Sequence, residues 1–286
     1  MRRRGVLGAF GATLAAACTP TLGQFNAITP KDSGGRAVRH DIAYGAEQRQ
    51  KLDLYAPRQM TIGMPIVVFF YGGSWNSGAK RDYEFAGDAL SSRGFLTAIP
   101  DYRLVPDVRF PAFVEDCAAA VRATIANAHE FGGDANKVVL MGHSAGAYNA
   151  MMLGLDRRFL ERAGVSASSV RGVVGLAGPY DFLPLDVKST QEAFGEAHDL
   201  NATQPINFAR RDAPPLQLLW GEKDTVVGRR SINALQRAAE AAHERVETKI
   251  YPNVDHVGLM LALSRFFRGS APVLADASDF ILRVTA

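Results

Sequence analysis

An α/β fold with a mostly parallel sheet is what this 286-residue chain predicts, on three observations. Short apolar runs recur at residues 66–70, 95–99, 138–141, 173–177 and 216–220, and unbroken apolarity marks strands covered on both faces. Helical patterns separate the runs, and that alternation implies right-handed crossovers and a parallel sheet. Hydrophobic residues make up 47% and charged residues 21%, enough for a sizeable core and incompatible with global disorder.

The elements follow in chain order. Residues 1–17 read as a signal peptide. Arg2, Arg3 and Arg4 form its charged start, and the uncharged stretch from Val6 to Ala17 is too short to span a bilayer. Ala15, Ala16 and Ala17 precede Cys18, a lipobox-like arrangement that makes Cys18 a candidate lipid anchor. Export to the bacterial periplasm or its membrane is therefore expected. Residues 18–36 are rich in Thr, Pro, Gly, Asn and Ser and read as a linker. Residues 37–44 and 51–55 alternate around Gly45 as an antiparallel hairpin, and residues 248–251 alternate like an edge strand. Phe113, Cys117, Val121 and Ile125 repeat on one helical face, and residues 231–243 and 273–284 read as two later helices. Residues 182–213 break the rhythm as a lid-like insertion over the carboxyl edge of the sheet, where ligands bind in open α/β folds. Its Phe182, Leu183, Phe194, Ile206 and Phe208 suit a local core and an acyl pocket about equally.

The net charge of +3 comes entirely from Arg2–Arg4, which argues against a nucleic-acid partner. Two cysteines, Cys18 and Cys117, can form neither a disulfide framework nor a Cys-based zinc site. Cys117 reads as a buried thiol.

The chemistry concentrates after the 138–141 run, where Gly142-His143-Ser144-Ala145-Gly146 has the Gly-x-Ser-x-Gly form between a strand and a helix of small residues. Such a turn exposes the Ser144 hydroxyl and aims helix-start amides at the site. A serine needs a base, and the base an orienting acid, in the chain order Ser, acid, His. Of the six histidines, His40, His129 and His143 do not follow the serine, His198 falls in the insertion and His243 ends a helix. His256, in a loop after the last strand, is the expected base. Asp224, just past the 216–220 strand, is the expected acid. Asp181 is its main rival, with Glu222 and Asp255 behind. The oxyanion hole needs two amides: Ala145 after the serine, and Gly73, assisted by Gly72, in the loop after the 66–70 strand.

These residues carry a resemblance. Tyr71-Gly72-Gly73-Ser74-Trp75 resembles a His-Gly-Gly-x-Trp loop, and Asp101-Tyr102-Arg103-Leu104, the Gly142 to Ala147 turn, Gly221 to Asp224 and Asp255-His256 follow in order. The chain resembles the α/β-hydrolase superfamily, specifically carboxylesterases similar to hormone-sensitive lipase and to bacterial feruloyl and acetyl-xylan esterases, over roughly residues 37–285. The resemblance implies a mostly parallel eight-stranded sheet flanked by helices over residues 37–286. It also implies a serine carboxylesterase acting on small or short-acyl esters through an acyl-enzyme, with no metal or organic cofactor. Kynurenine formamidase shares the glycine loop and triad, so an arylformamidase-like amide hydrolase is an alternative. A non-catalytic hydrolase-fold binding protein is the other, disfavoured by the ordered Ser, Asp and His. Tyr71 departs from the family's His and is expected to support the loop through its hydroxyl or its ring.

Overall fold

The computed structural model describes residues 21–286; the expected signal peptide and Cys18 lie outside the described residues. Eight strands form one sheet: β1 (Gly35–Ala43), β2 (Lys51–Pro57), β3 (Met64–Phe70), β4 (Leu96–Pro100), β5 (Gly133–His143), β6 (Val170–Leu176), β7 (Leu216–Gly221) and β8 (Val246–Tyr251). Their order is β1-β2-β4-β3-β5-β6-β7-β8. Only the β1–β2 and β2–β4 pairs are antiparallel; the remaining pairs are parallel. This is the α/β-hydrolase fold.

Burial explains the strand sequences. From Ile66 to Phe70 every residue of β3 is fully buried, because helices cover both faces of the central strands. At the two edges the constraint relaxes. β1 and β8 each keep a mixed buried and half-exposed pattern, which is why those segments alternate.

The described residues contain nine α-helices. They are α1 (Leu22–Ile28), α2 (Glu84–Ser91), α3 (Ala112–Ala128), α4 (Ala145–Leu155), α5 (Arg157–Arg162), α6 (Lys188–Phe194), α7 (Arg229–Ala241), α8 (His256–Leu261) and α9 (Val273–Thr285). The expected helices correspond to α3, α7 and α9. Helix α1 falls where the composition reads as linker. Thr21 and Gln24 close a capping box there, and Phe25 is buried edge-on against Phe85. A seven-residue helix carrying one buried aromatic leaves no periodic signal.

Chain direction matters for function at β3 and β5. From β3 the chain turns through α2 to β4 on one side; from β5 it turns through α4 to β6 on the other. The two connections diverge, and a crevice opens at the carboxyl ends of β3 and β5. The loop beginning at Tyr71 and the turn at Ser144 both start there.

Candidate active site

Ser144 sits between the end of β5 and the start of α4 with φ 54° and ψ −122°. A non-glycine residue is strained in this region by about 1–3 kcal/mol, so the surroundings must hold it. They do: the Ser144 amide donates to the Leu176 carbonyl at 2.8 Å, and its carbonyl accepts from the Tyr148 amide at 3.1 Å. The flanking glycines are required by contact. A β-carbon at Gly142 would lie 2.7 Å from the Ala147 nitrogen, and one at Gly146 would overlap the Phe70 and Tyr71 carbonyls.

Asp224 follows β7 in a tight turn, its amide donating to the Gly221 carbonyl at 3.0 Å. One carboxylate oxygen accepts from the Val226 and Val227 amides at 2.8 and 2.9 Å. The other lies 2.8 Å from His256 Nδ1. Burial raises the Asp224 carboxyl, but the hydrogen bonds from His256 and Val227 outweigh it and hold the group below the usual carboxylate range. The Asp224 side chain is fully enclosed, so its charge acts on the imidazole with little screening. His256 is the first residue of α8, a helix where a plain loop was expected; Asp255 caps that helix by accepting from the Gly258 amide at 2.7 Å. The rival Asp181 pairs instead with Arg230 at 3.3 Å.

His143 joins the serine turn to the histidine, a role that sequence order did not disclose. Its Nε2 lies 2.9 Å from the His256 carbonyl, and the two rings are 4.7 Å apart. Burial, and then the neighbouring His256, push the His143 imidazole down to about 3. It is therefore neutral at working pH and donates through Nε2–H.

The glycine loop approaches from β3. A β-carbon at Gly72 would be 3.0 Å from the Ser144 β-carbon and 3.1 Å from His143 Nδ1, so the loop backbone runs directly beside the serine. Gly73 has φ 126°, and a β-carbon there would be 2.8 Å from the Ser77 carbonyl carbon. Its carbonyl accepts from the Asn76 and Ser77 amides, both at 3.0 Å.

Tyr71 supports this loop in both expected ways. Its ring stacks between Tyr83 and Tyr102 at 5.2 and 4.9 Å. Its hydroxyl donates to Asp101 Oδ1 at 2.6 Å and accepts from Arg49 Nη2 at 2.7 Å. Burial, then the Asp101 carboxylate, keep the phenol well above its ordinary value and hence protonated. The Tyr102 hydroxyl donates to the Tyr71 carbonyl at 2.8 Å, and Arg103 forms a fork with Asp116. The Asp101-Tyr102-Arg103 block thus braces the loop.

The insertion is pinned to the same loop. Trp75 Nε1 donates to Asn149 Oδ1 at 3.2 Å, and Phe194 packs edge-on to Trp75 at 4.8 Å. Phe194 is fully buried, so it belongs to a local core; Phe182, 6.3 Å from Trp75, is half-buried. A cleft of about 970 Å³ lies at the other end of the sheet, against Val170, Leu216 and Val246 at the starts of β6, β7 and β8. The serine turn, Asp224 and His256 lie away from it, at the carboxyl edge. Among the described residues no cluster of His, Cys, Asp and Glu could hold a metal ion.

The fold is that of an α/β hydrolase, with Ser144, Asp224 and His256 gathered at its carboxyl edge. The BD-FAE family model matches residues 52–238, and the chain belongs to that family. Esterase LipC of Mycobacterium tuberculosis is 30% identical over 211 residues, covering 66% of this chain and 52% of LipC. A probable isoprenylcysteine alpha-carbonyl methylesterase of Arabidopsis thaliana, ICMEL2, is 28% identical over 245 residues, covering 78% of this chain. The chain spans 58% of the length of that plant relative. Among solved structures, esterase B of Lactobacillus rhamnosis inhibited by a tributyrin phosphonate superposes with a TM-score of 0.81 at 21% identity, covering 92% of this chain and 90% of that one.

Proposed function

We propose that the protein is a serine carboxylesterase that hydrolyses small or short-acyl esters through an acyl-enzyme. The observation that carries this reading is the buried Asp224–His256 hydrogen bond at 2.8 Å, on the same sheet edge as a serine held in a strained turn. Ser144 attacks the ester carbonyl while His256 Nε2 takes its proton. The charged imidazole is stabilised and kept in one tautomer by Asp224. The tetrahedral oxyanion accepts from the Ala145 amide, at the start of α4, and from the loop amide of Gly73. Collapse expels the alcohol, protonated by His256, and water repeats the cycle to release the acid. The cation formed on His256 meets no second charge from His143, which stays neutral.

The Lactobacillus enzyme's capture by a tributyrin phosphonate supports a small ester as substrate. A formamide is the second reading, favoured by kynurenine formamidase of Salmo salar, 24% identical over 233 residues and matched over 75% of its length. A panel of p-nitrophenyl esters from acetate to octanoate, run beside an N-formyl arylamine, tests both. Fastest turnover on the short esters supports the ester reading; preference for the formamide replaces it. The reading extends to place: signal cleavage before Cys18 and lipidation of its thiol tether the enzyme to the bacterial membrane. Among the described residues no helix is long and apolar enough to cross a membrane.

A further inference from the structure

Three exposed apolar side chains lie on or beside α1. Ile28 is 72% exposed, Phe266 67% and Phe267 43%. The Phe267 ring contacts Phe25 of α1 at 5.8 Å and Phe266 at 6.2 Å. Arg265 donates to the carbonyl of Lys31, just past Ile28, and Arg268 grips Asp32 with bonds of 2.9 and 2.8 Å. The turn 264–270 and the end of α1 are therefore one surface. That turn is held rigidly: Ser264 donates to the Leu261 carbonyl and Ser270 to the Phe267 carbonyl. Core packing does not account for the outermost ring, since among the described residues the aromatic contact of Phe266 is with Phe267 alone.

The described residues begin at helix α1. Thr21 caps α1, and Cys18 precedes it by three residues, at most about 11 Å of extended chain. Helix α1 itself is about 10 Å long, so a lipid on Cys18 and the Ile28–Phe267 patch can reach one bilayer surface together. The apolar tip is bracketed by cations. Arg265 is exposed, and Lys31 and Arg81 flank α1, Arg81 through its carbonyl bond to Asn26 and Lys31 with its ammonium bonded to the Asn26 carbonyl at 2.7 Å. Acidic groups on this side are Asp32, committed to Arg268, Asp82, Glu84, 3.7 Å from Lys31, and Asp88, near Lys31 and Asp32. Aromatic rings ringed by long basic side chains suit the headgroup region, where the rings enter the acyl boundary and the cations meet phosphates.

We propose that Ile28, Phe266 and Phe267 seat this face in the headgroup layer of a phospholipid bilayer, with Arg265 against lipid phosphates. The proposal rests on the tether reading of Cys18 for the nearness of a membrane. Three side chains hold weakly alone, so the patch orients an enzyme that the anchor retains. Helix α8 runs from His256 into this turn, so docking fixes how the reactive edge faces the bilayer.

An indole placed at the tip reads this directly, because Trp75 and Trp220 are buried and give a constant background. Full-length protein carrying Phe266→Trp is mixed with vesicles of phosphatidylcholine and phosphatidylglycerol, with and without brominated phosphatidylcholine. Ile62→Trp, at a 99% exposed position, is the control. The same pair is made in a Cys18→Ser chain. The expected result is a blue shift and bromine quenching at position 266 and neither at position 62, in both backgrounds. The Cys18→Ser chain should need about tenfold or more lipid, as loss of an acyl anchor dictates. Equal lipid dependence in the two backgrounds overturns the tether while leaving the docking result readable. Vesicle-bound protein with position 266 unquenched overturns the docking. So does an indole already blue-shifted without lipid, since the leader or a second copy then covers the patch.

Discussion

Replacing Gly73 by alanine, with Tyr71→Phe beside it, separates the two jobs of the glycine loop. At φ 126° a side chain is strained by about 1–3 kcal/mol. The added carbon would also overlap the Ser77 carbonyl. Backbone on one side and β3 on the other cannot give way, so the loop shifts and carries the Gly73 amide off its target. Loss of one oxyanion donor costs about 2.7–4 kcal/mol of transition-state stabilisation, or about 10²–10³ in kcat, with KM changing far less. Tyr71→Phe acts elsewhere. It strips a buried hydroxyl from Asp101 and Arg49, so it should lower stability by about 1–3 kcal/mol while kcat falls less than about tenfold. Initial rates on p-nitrophenyl acetate and thermal melts of both variants give the four numbers. If Tyr71→Phe loses as much kcat as Gly73→Ala while melting like the wild type, the phenol itself stabilises the oxyanion and the backbone account is wrong.

Three further outcomes follow from the same geometry. Asp224→Asn should lower kcat by up to about 10⁴ with the fold intact, because the amide favours the wrong imidazole tautomer. Asp181→Asn, losing only a pair to a largely exposed arginine, should cost less than about tenfold, and the reverse ranking would move the acid's role. His143→Phe removes the bond to the His256 carbonyl and should lower kcat while leaving the acid limb of the pH–rate profile in place; a displaced limb would mean that His143 carries a proton in the reaction. Glu244, in the cleft at the far end of the sheet, is raised by burial to about 7, and one carboxylate oxygen has no partner among the described residues. The folded chain keeps a proton that the unfolded chain releases near pH 4, so stability falls as pH rises from about 4 to 7, by on the order of 3 kcal/mol. Glu244→Gln should therefore melt higher than wild type at pH 8 and equally at pH 4; equal melts at both would refute the assignment.

What the chain order discloses is local. β3, β5, β6 and β7 stand out because strands buried on both faces must be apolar throughout, and the serine turn stands out because two close backbone approaches demand Gly142 and Gly146. Asp224 and His256 follow from strand ends and topology. The rest depends on contacts between distant residues. His143 meets His256 across 113 positions, and Tyr71 is met by Arg49 and Asp101 from either side in the chain. No periodicity announces such pairs. Helix α2 was hidden for a related reason: seven of its eight residues are buried, so its face is not written as a stripe. Phe194 shows the same limit. Its sequence suits pocket and core alike, and only packing against Trp75, Phe113 and Tyr148 makes it core.

The central claim is that Ser144 is the nucleophile, and covalent trapping tests it most directly. An organophosphate or an alkyl phosphonate ester should label the protein once, with the adduct on the peptide that holds Ser144 and turnover lost in proportion. Ser144→Ala should take no label, melt close to wild type and turn over several orders of magnitude more slowly. An adduct on a different serine, or near-normal turnover in Ser144→Ala, would contradict the account.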